Sequence, residues 1–195
     1  MAGSVSNLET LPAFDPETKD LNVLIETPKG NRNKFKYDGK RGLFMLSGVL
    51  PMGAVFPFDF GFIPSTTGGD GDPLDVLILM DEPAFPGCLI PARLIGVIEA
   101  EQTEEGKTNR NDRLIAVAVE SRAHTHIERL EDLNETVIKE IEHFFISYNE
   151  AKGKQFKPLG RFAPDKAMQV VERGIKSHKS KSRNRPAKKA SRKKR

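Results

Sequence analysis

The segment Gly69-Asp70-Gly71-Asp72-Pro73-Leu74-Asp75-Val76-Leu77-Ile78-Leu79-Met80 decides how the chain is read. Its second half, Leu74–Met80, is an aliphatic run bounded by turn chemistry, which predicts a buried strand. Its first half sets three carboxylates, Asp70, Asp72 and Asp75, on a glycine-rich loop that feeds that strand. Gly71 and Pro73 fix a bend, so the carboxylates need not alternate as they would on a strand. Like charges this close repel unless a cation lies among them. Aspartate oxygens are hard donors, and magnesium is the natural cation for them. A solvated acidic turn is the plainer alternative, but the run from Leu74 onward carries this loop straight into a core.

Other ligand motifs fail on spacing. Counted from Asp70 as a calcium-binding EF-hand loop, the fifth position is Leu74 and the sixth, which requires glycine, is Asp75. A nucleotide P-loop ending at Gly106-Lys107-Thr108 would have Glu101 in place of its first glycine. His124 and His126 can share one side of a strand, but without a third ligand they read as surface or hydrogen-bonding histidines.

Outward from the acidic loop, Leu21–Thr27 predicts a strand stopped by Pro28-Lys29-Gly30. Short strands follow at Lys34–Tyr37 and Leu43–Leu46, around the turn Asp38-Gly39. Residues 51–73, crowded with Pro, Gly and Phe, predict ordered loop. Residues 88–100 and 113–119 are β-branched and apolar, and polar Glu104–Asp112 between them suggests a long-looped hairpin. Asp132 and Glu135 form a capping-box pattern before Val137, Ile138, Ile141, Phe144, Phe145 and Tyr148, which recur at helical spacing up to Gly153. A second helix is expected from Pro164 through Met168, Val171 and Ile175. No internal repeat is present. Short strands followed by two helices give an α+β fold, a small closed barrel with helices outside.

The 195 residues divide into a domain at 1–175 and a tail at 176–195. The tail has eleven Lys or Arg and no acid, and lacks the apolar side chains to bury a face, so it is expected to be disordered. Removing those eleven from 31 basic residues leaves 20 against 27 acidic ones, so the domain carries a net −7. An acidic domain that handles an anion needs bound cations or a local basic cluster. No apolar run nears the roughly 18 residues of a membrane span, and no membrane partner is expected. Met1–Phe14 lacks the pattern of a secretory signal. Cys88 is the sole cysteine, which suits a reducing compartment, and the cytoplasm is the expected location.

The D-x-D-P-x-D pattern at Asp70, Asp72 and Asp75 resembles that of soluble family I inorganic pyrophosphatases. Its surroundings agree in order: Ile25-Glu26-Thr27-Pro28, Lys34, the aromatic stretch Phe56–Ile63, His143-Phe144-Phe145 and Tyr148. The resemblance implies an OB-like closed β-barrel flanked by helices, magnesium dependence, a homo-oligomer, and release of two phosphates from inorganic pyrophosphate. Carried over residue by residue, it implies Asp70, Asp75 and Glu26 as metal ligands and Asp72 as the base that deprotonates the attacking water. It implies Lys34, Arg113 and Tyr148 as phosphate binders. Taken singly, each has a plainer reading. Glu26 could be a strand-edge residue, Lys34 solvated, Tyr148 core, and Arg113 the partner of Asp112.

The chain departs from that pattern at several points. Ser47 stands where an arginine is expected, Phe60 for a tyrosine, Asn149 for a lysine, and Lys36 for a glutamate. The second acidic pair falls in a lengthened loop, where Glu101, Gln102, Asn111 and Asp112 compete and Asp112 is favoured as a metal ligand. Lys36, Lys154 and Lys157 are candidates for replacement charge. The expected function is magnesium-dependent pyrophosphate hydrolysis. The alternative is a lapsed barrel domain that binds nucleic acid or other polyanions weakly through its basic tail.

Overall fold

The computed structural model describes residues 7–183. It contains nine strands: β1 (Leu21–Thr27), β2 (Asn33–Asp38), β3 (Leu43–Val49), β4 (Asp59–Ile63), β5 (Leu74–Leu79), β6 (Leu89–Glu104), β7 (Lys107–Arg110), β8 (Arg113–Ala118) and β9 (Gln155–Phe162). Two helices, α1 (Glu135–Glu150) and α2 (Pro164–Arg183), complete the α+β fold. β2 and β3 form a separate hairpin, and the other seven strands share one mixed sheet. Its pairings run β1–β4–β5–β8–β6, and β6 also pairs with β1.

The aliphatic strands are continuous in sequence because both their faces are buried. On β5 and β8, Val76, Ile78, Leu114 and Ala116 join Val170 and Val171 of α2 in one core. The alternate residues Leu77, Leu79, Ile115 and Val117 join Ile138, Ile141 and Phe145 of α1 in a second core. The period-two geometry of a strand makes this partition, and each fully buried aliphatic side chain contributes about 1.5–3 kcal/mol.

Three expectations are corrected and one strand is added. Residues 51–73 are not all loop: β4 lies inside them, antiparallel between β1 and β5. Its Gly61 is required by close packing, since a Cβ there would lie 2.0 Å from the Leu24 carbonyl oxygen. The polar segment after β6 is not a long loop but the strand β7, hairpinned back onto β6 through Glu105-Gly106. β9, which the sequence does not announce, pairs with β6. The tail is not irregular from residue 176, because α2 continues to Arg183; the rest of it lies outside the described residues.

The helix caps also differ from the capping-box reading. Asn134 caps α1, its side-chain oxygen accepting from the Thr136 N–H at 2.8 Å. Asp132 instead accepts from the Glu128 and Arg129 N–H groups.

These elements fix the acidic loop at both ends. The Leu74 N–H donates to Thr66 Oγ1 at 3.0 Å, and the Thr67 N–H donates to the Gly174 carbonyl of α2 at 3.0 Å. Gly174 lets α2 approach, since a Cβ there would meet Leu74 Cδ1 at 2.6 Å.

Candidate active site

The loop before β5 is a tight structure of its own. The Gly68 N–H donates to the Asp72 carbonyl at 2.7 Å, and the Asp72 N–H donates to Asp70 Oδ1 at 3.1 Å. The folded loop turns Asp70, Asp72 and Asp75 into one cleft of about 280 Å³. Glu26 of β1 and Lys34 and Lys36 of β2 line the same cleft, as do Arg113 of β8 and Tyr148 of α1. Residues as distant in sequence as Glu26 and Tyr148 thus meet around one volume.

Glu26 is 5% exposed, and its Oε1 accepts from the Tyr37 N–H at 2.7 Å. Burial pushes its carboxyl up to about 7, with the Asp75 charge adding to the rise. Asp70, although exposed at the cleft, is also raised, first by partial loss of water and then by the charge of Asp75. Asp72 Oδ2 meets Lys36 Nζ at 2.6 Å, and Asp75 Oδ2 meets Arg113 Nη1 at 2.6 Å. The Arg113 guanidinium is buried and lies 4.9 Å from the Phe145 ring centroid and 5.4 Å from that of Phe156. Lys34 Nζ lies 5.0 Å from the Phe60 ring centroid and 5.2 Å from that of Tyr148. Burial alone would raise the Tyr148 phenol, but Lys34 and Lys152 outweigh it and lower its pKa.

Asp112 is not brought into this cleft. Its Oδ1 accepts from the Ala100 N–H at 3.0 Å and pairs with Arg110, and it lines a small neighbouring cavity that Asp70 and Asp75 also border. The side chains that reach the cleft from this region are Gln102 and Asn111, joined at 2.9 Å by Asn111 Nδ2 donating to Gln102 Oε1. Asn111 Oδ1 in turn accepts from Arg113 Nη1. One signal in the sequence could have found this. Alternate residues on extended backbone share a side, so placing Arg113 in the cleft brings Asn111 with it and turns Asp112 away.

The other departures sort themselves by position. Ser47 lines the cleft and donates to the Lys34 carbonyl at 3.2 Å. Asn149 is buried, with its amide donating to the Phe145 carbonyl. Lys36, Lys152 and Lys154 supply positive charge at the cleft, whereas Lys157 does not line it.

Asp70, Asp72, Asp75 and Glu26, four of the five carboxylates that line the cleft with Glu9, form a donor set whose chemistry suits a hard divalent cation, and two of them, Glu26 and Asp70, have raised pKa values. Among the described residues, however, no three His, Cys, Asp or Glu side chains are gathered in an arrangement that would hold a metal ion. Two of the carboxylates are turned onto Lys36 and Arg113 instead.

Comparison with known proteins agrees with this geometry. A family model described as inorganic pyrophosphatase matches residues 23–179. An inorganic pyrophosphatase of Synechocystis is 37% identical over 173 residues, which cover 89% of this chain and 99% of that protein. The crystal structure of the inorganic pyrophosphatase from Thermus thermophilus superposes with a TM-score of 0.81 at 36% identity, covering 89% of this chain and 99% of that one. An inorganic pyrophosphatase structure from Coxiella burnetii gives 0.78 at 32% identity, over 86% of this chain and 99% of that one. With the family model spanning both the acidic loop and the helix that carries Tyr148, the chain belongs to the inorganic pyrophosphatase family.

Proposed function

We infer that this chain hydrolyses inorganic pyrophosphate to two phosphates, with magnesium as its divalent ion. The observation that carries the reading is the cleft itself. Asp70, Asp72, Asp75 and Glu26 face Lys34, Arg113 and Tyr148 across one volume, in a chain of this family.

Asp70, Asp75 and Glu26 are the carboxylates to hold magnesium. When bound, magnesium lowers the pKa of a water and offsets the charge of phosphate oxygens. Lys34, Arg113 and Tyr148 hold substrate oxygens and keep the bridging bond facing the acidic loop. Lys36 holds Asp72 Oδ2, so Oδ1 is the oxygen that accepts the proton of the attacking water. The water oxygen bonds to phosphorus as the bridging P–O bond breaks, and the proton passes to the departing phosphate. Cationic side chains around the cleft stabilise the charge that develops on that phosphate.

The cyclic strand pairing supports reading the sheet as a closed OB-like barrel. Exposed Leu46, Val49 and Met52, 57, 53 and 88% accessible, support a homo-oligomer. The lone Cys88 is the support for a cytoplasmic location, and no helix among the described residues is long and apolar enough to cross a membrane. The basic tail supports weak, salt-sensitive polyanion binding beside the enzymatic role.

Phosphate release from pyrophosphate tests the function. Release in magnesium that chelator abolishes is expected. No release above background with any divalent metal across pH would overturn the reading.

A further inference from the structure

A lysine and a divalent ion are alternative answers to one problem, the repulsion among carboxylates that share a small volume. In this chain the lysine answer is already in place. The Lys36 ammonium lies 2.6 Å from Asp72 Oδ2, and Glu26 and Asp75 also act on its charge. Burial works against that charge, yet the Asp72 hydrogen bond and the three carboxylates prevail and hold the lysine above its ordinary pKa.

The rest of the cleft follows the same pattern. Arg113 answers Asp75, and the side chains reaching in from β6 and the start of β8 are the neutral amides Gln102 and Asn111. Five carboxylates, Glu9, Glu26, Asp70, Asp72 and Asp75, line the cleft together with five cationic side chains, Lys34, Lys36, Arg113, Lys152 and Lys154, so their formal charges are equal in number.

We propose that Lys36 is a resident cation of the site, its ammonium, held on Asp72, taking the place of one divalent ion in the cleft that Asp75 and Glu26 also line. The proposal rests on the reading of Asp70, Asp75 and Glu26 as metal ligands. Its consequence is that the free protein takes up fewer divalent ions, and takes them up more weakly, than its carboxylates would without the lysine.

Manganese binding to the full chain tests this, with free Mn²⁺ followed by electron paramagnetic resonance and no substrate present. Lys36→Gln should bind an additional equivalent of Mn²⁺, or bind it tighter by roughly tenfold or more, the scale on which one adjacent charge acts. Lys36→Glu should bind tighter still, and in chelator it should melt below wild type and recover with Mn²⁺. Lys36→Arg keeps the charge and should retain the wild-type isotherm. Isotherms of Lys36→Gln and Lys36→Glu that superimpose on wild type would overturn the proposal. So would a Lys36→Arg isotherm shifted as far as that of Lys36→Gln, because charge would then not be the cause.

Phosphate release by the wild type is read separately. Release with superimposed isotherms sinks the resident cation and leaves the hydrolytic function standing. Separated isotherms without release in any metal sink the function and support the cation.

Discussion

The two walls of the cleft solve the same electrostatic problem in opposite ways. The wall made by the acidic loop and β1 concentrates carboxylates, Asp70, Asp72, Asp75 and Glu26. The wall made by β6 and β8 presents the hydrogen-bonded amides Gln102 and Asn111 and the guanidinium of Arg113. The chain meets these carboxylates with side chains of its own, Lys36 on Asp72 and Arg113 on Asp75. The contrast teaches that metal-ligating chemistry here has to be built from a single wall, and that substitutions on the two walls should act on different quantities.

Asp72→Asn is expected to have the largest effect. It preserves shape and an oxygen while removing the proton acceptor, so turnover at saturating magnesium should fall by about 10²-fold or more. The melting temperature should hold, because Asp72 is exposed and makes only a surface ion pair. Full activity in this variant would move the base elsewhere.

A smaller effect is expected from the opposite wall. Asn111→Asp adds a carboxylate beside Arg113 while keeping the oxygen that accepts from it. The magnesium concentration for half-maximal rate should fall by a few-fold, on the order set by one nearby charge. An unchanged magnesium dependence would mean that this wall does not face the ion.

The least effect is expected where the sequence pointed most firmly to a second acidic ligand. Asp112→Asn keeps the acceptor for the Ala100 N–H and loses only the charge opposite Arg110. Rates should stay within about twofold and stability within about 1 kcal/mol, the range of a partly exposed ion pair. A large rise in the magnesium requirement would place Asp112 at the metal after all.

These outcomes follow the division between what is local and what is not. The acidic loop was legible because Asp70, Asp72 and Asp75 are contiguous and run into an aliphatic strand. β1 was legible because its run ends at Pro28-Lys29-Gly30. β4 was hidden because its Phe and Gly residues sit in a Pro-rich neighbourhood, and pairing on both sides overrides that local signal. β7 was hidden because all four of its residues are exposed and polar, leaving no alternation to read. β9 takes its strand form from pairing with β6, which no local pattern specifies.

The site divides in the same manner. Glu26, Lys34, Arg113 and Tyr148 reach the cleft from distant positions, and only their order within the family resemblance assembled them beforehand. Of the four residues that compete in this segment, Asp112 is the one favoured in the sequence, whereas Gln102 and Asn111 are the ones that line the cleft. The charge on Lys36 was visible in the sequence, but its target was not, because the pair spans 36 positions.

The most direct measurement is phosphate released per pyrophosphate by the purified full chain in magnesium, with Asp72→Asn prepared in parallel to report any contaminating activity. The account predicts two phosphates for each pyrophosphate consumed, complete loss on chelation, and a rate for Asp72→Asn lower by about two orders of magnitude or more. A wild-type rate no higher than that of Asp72→Asn would contradict it.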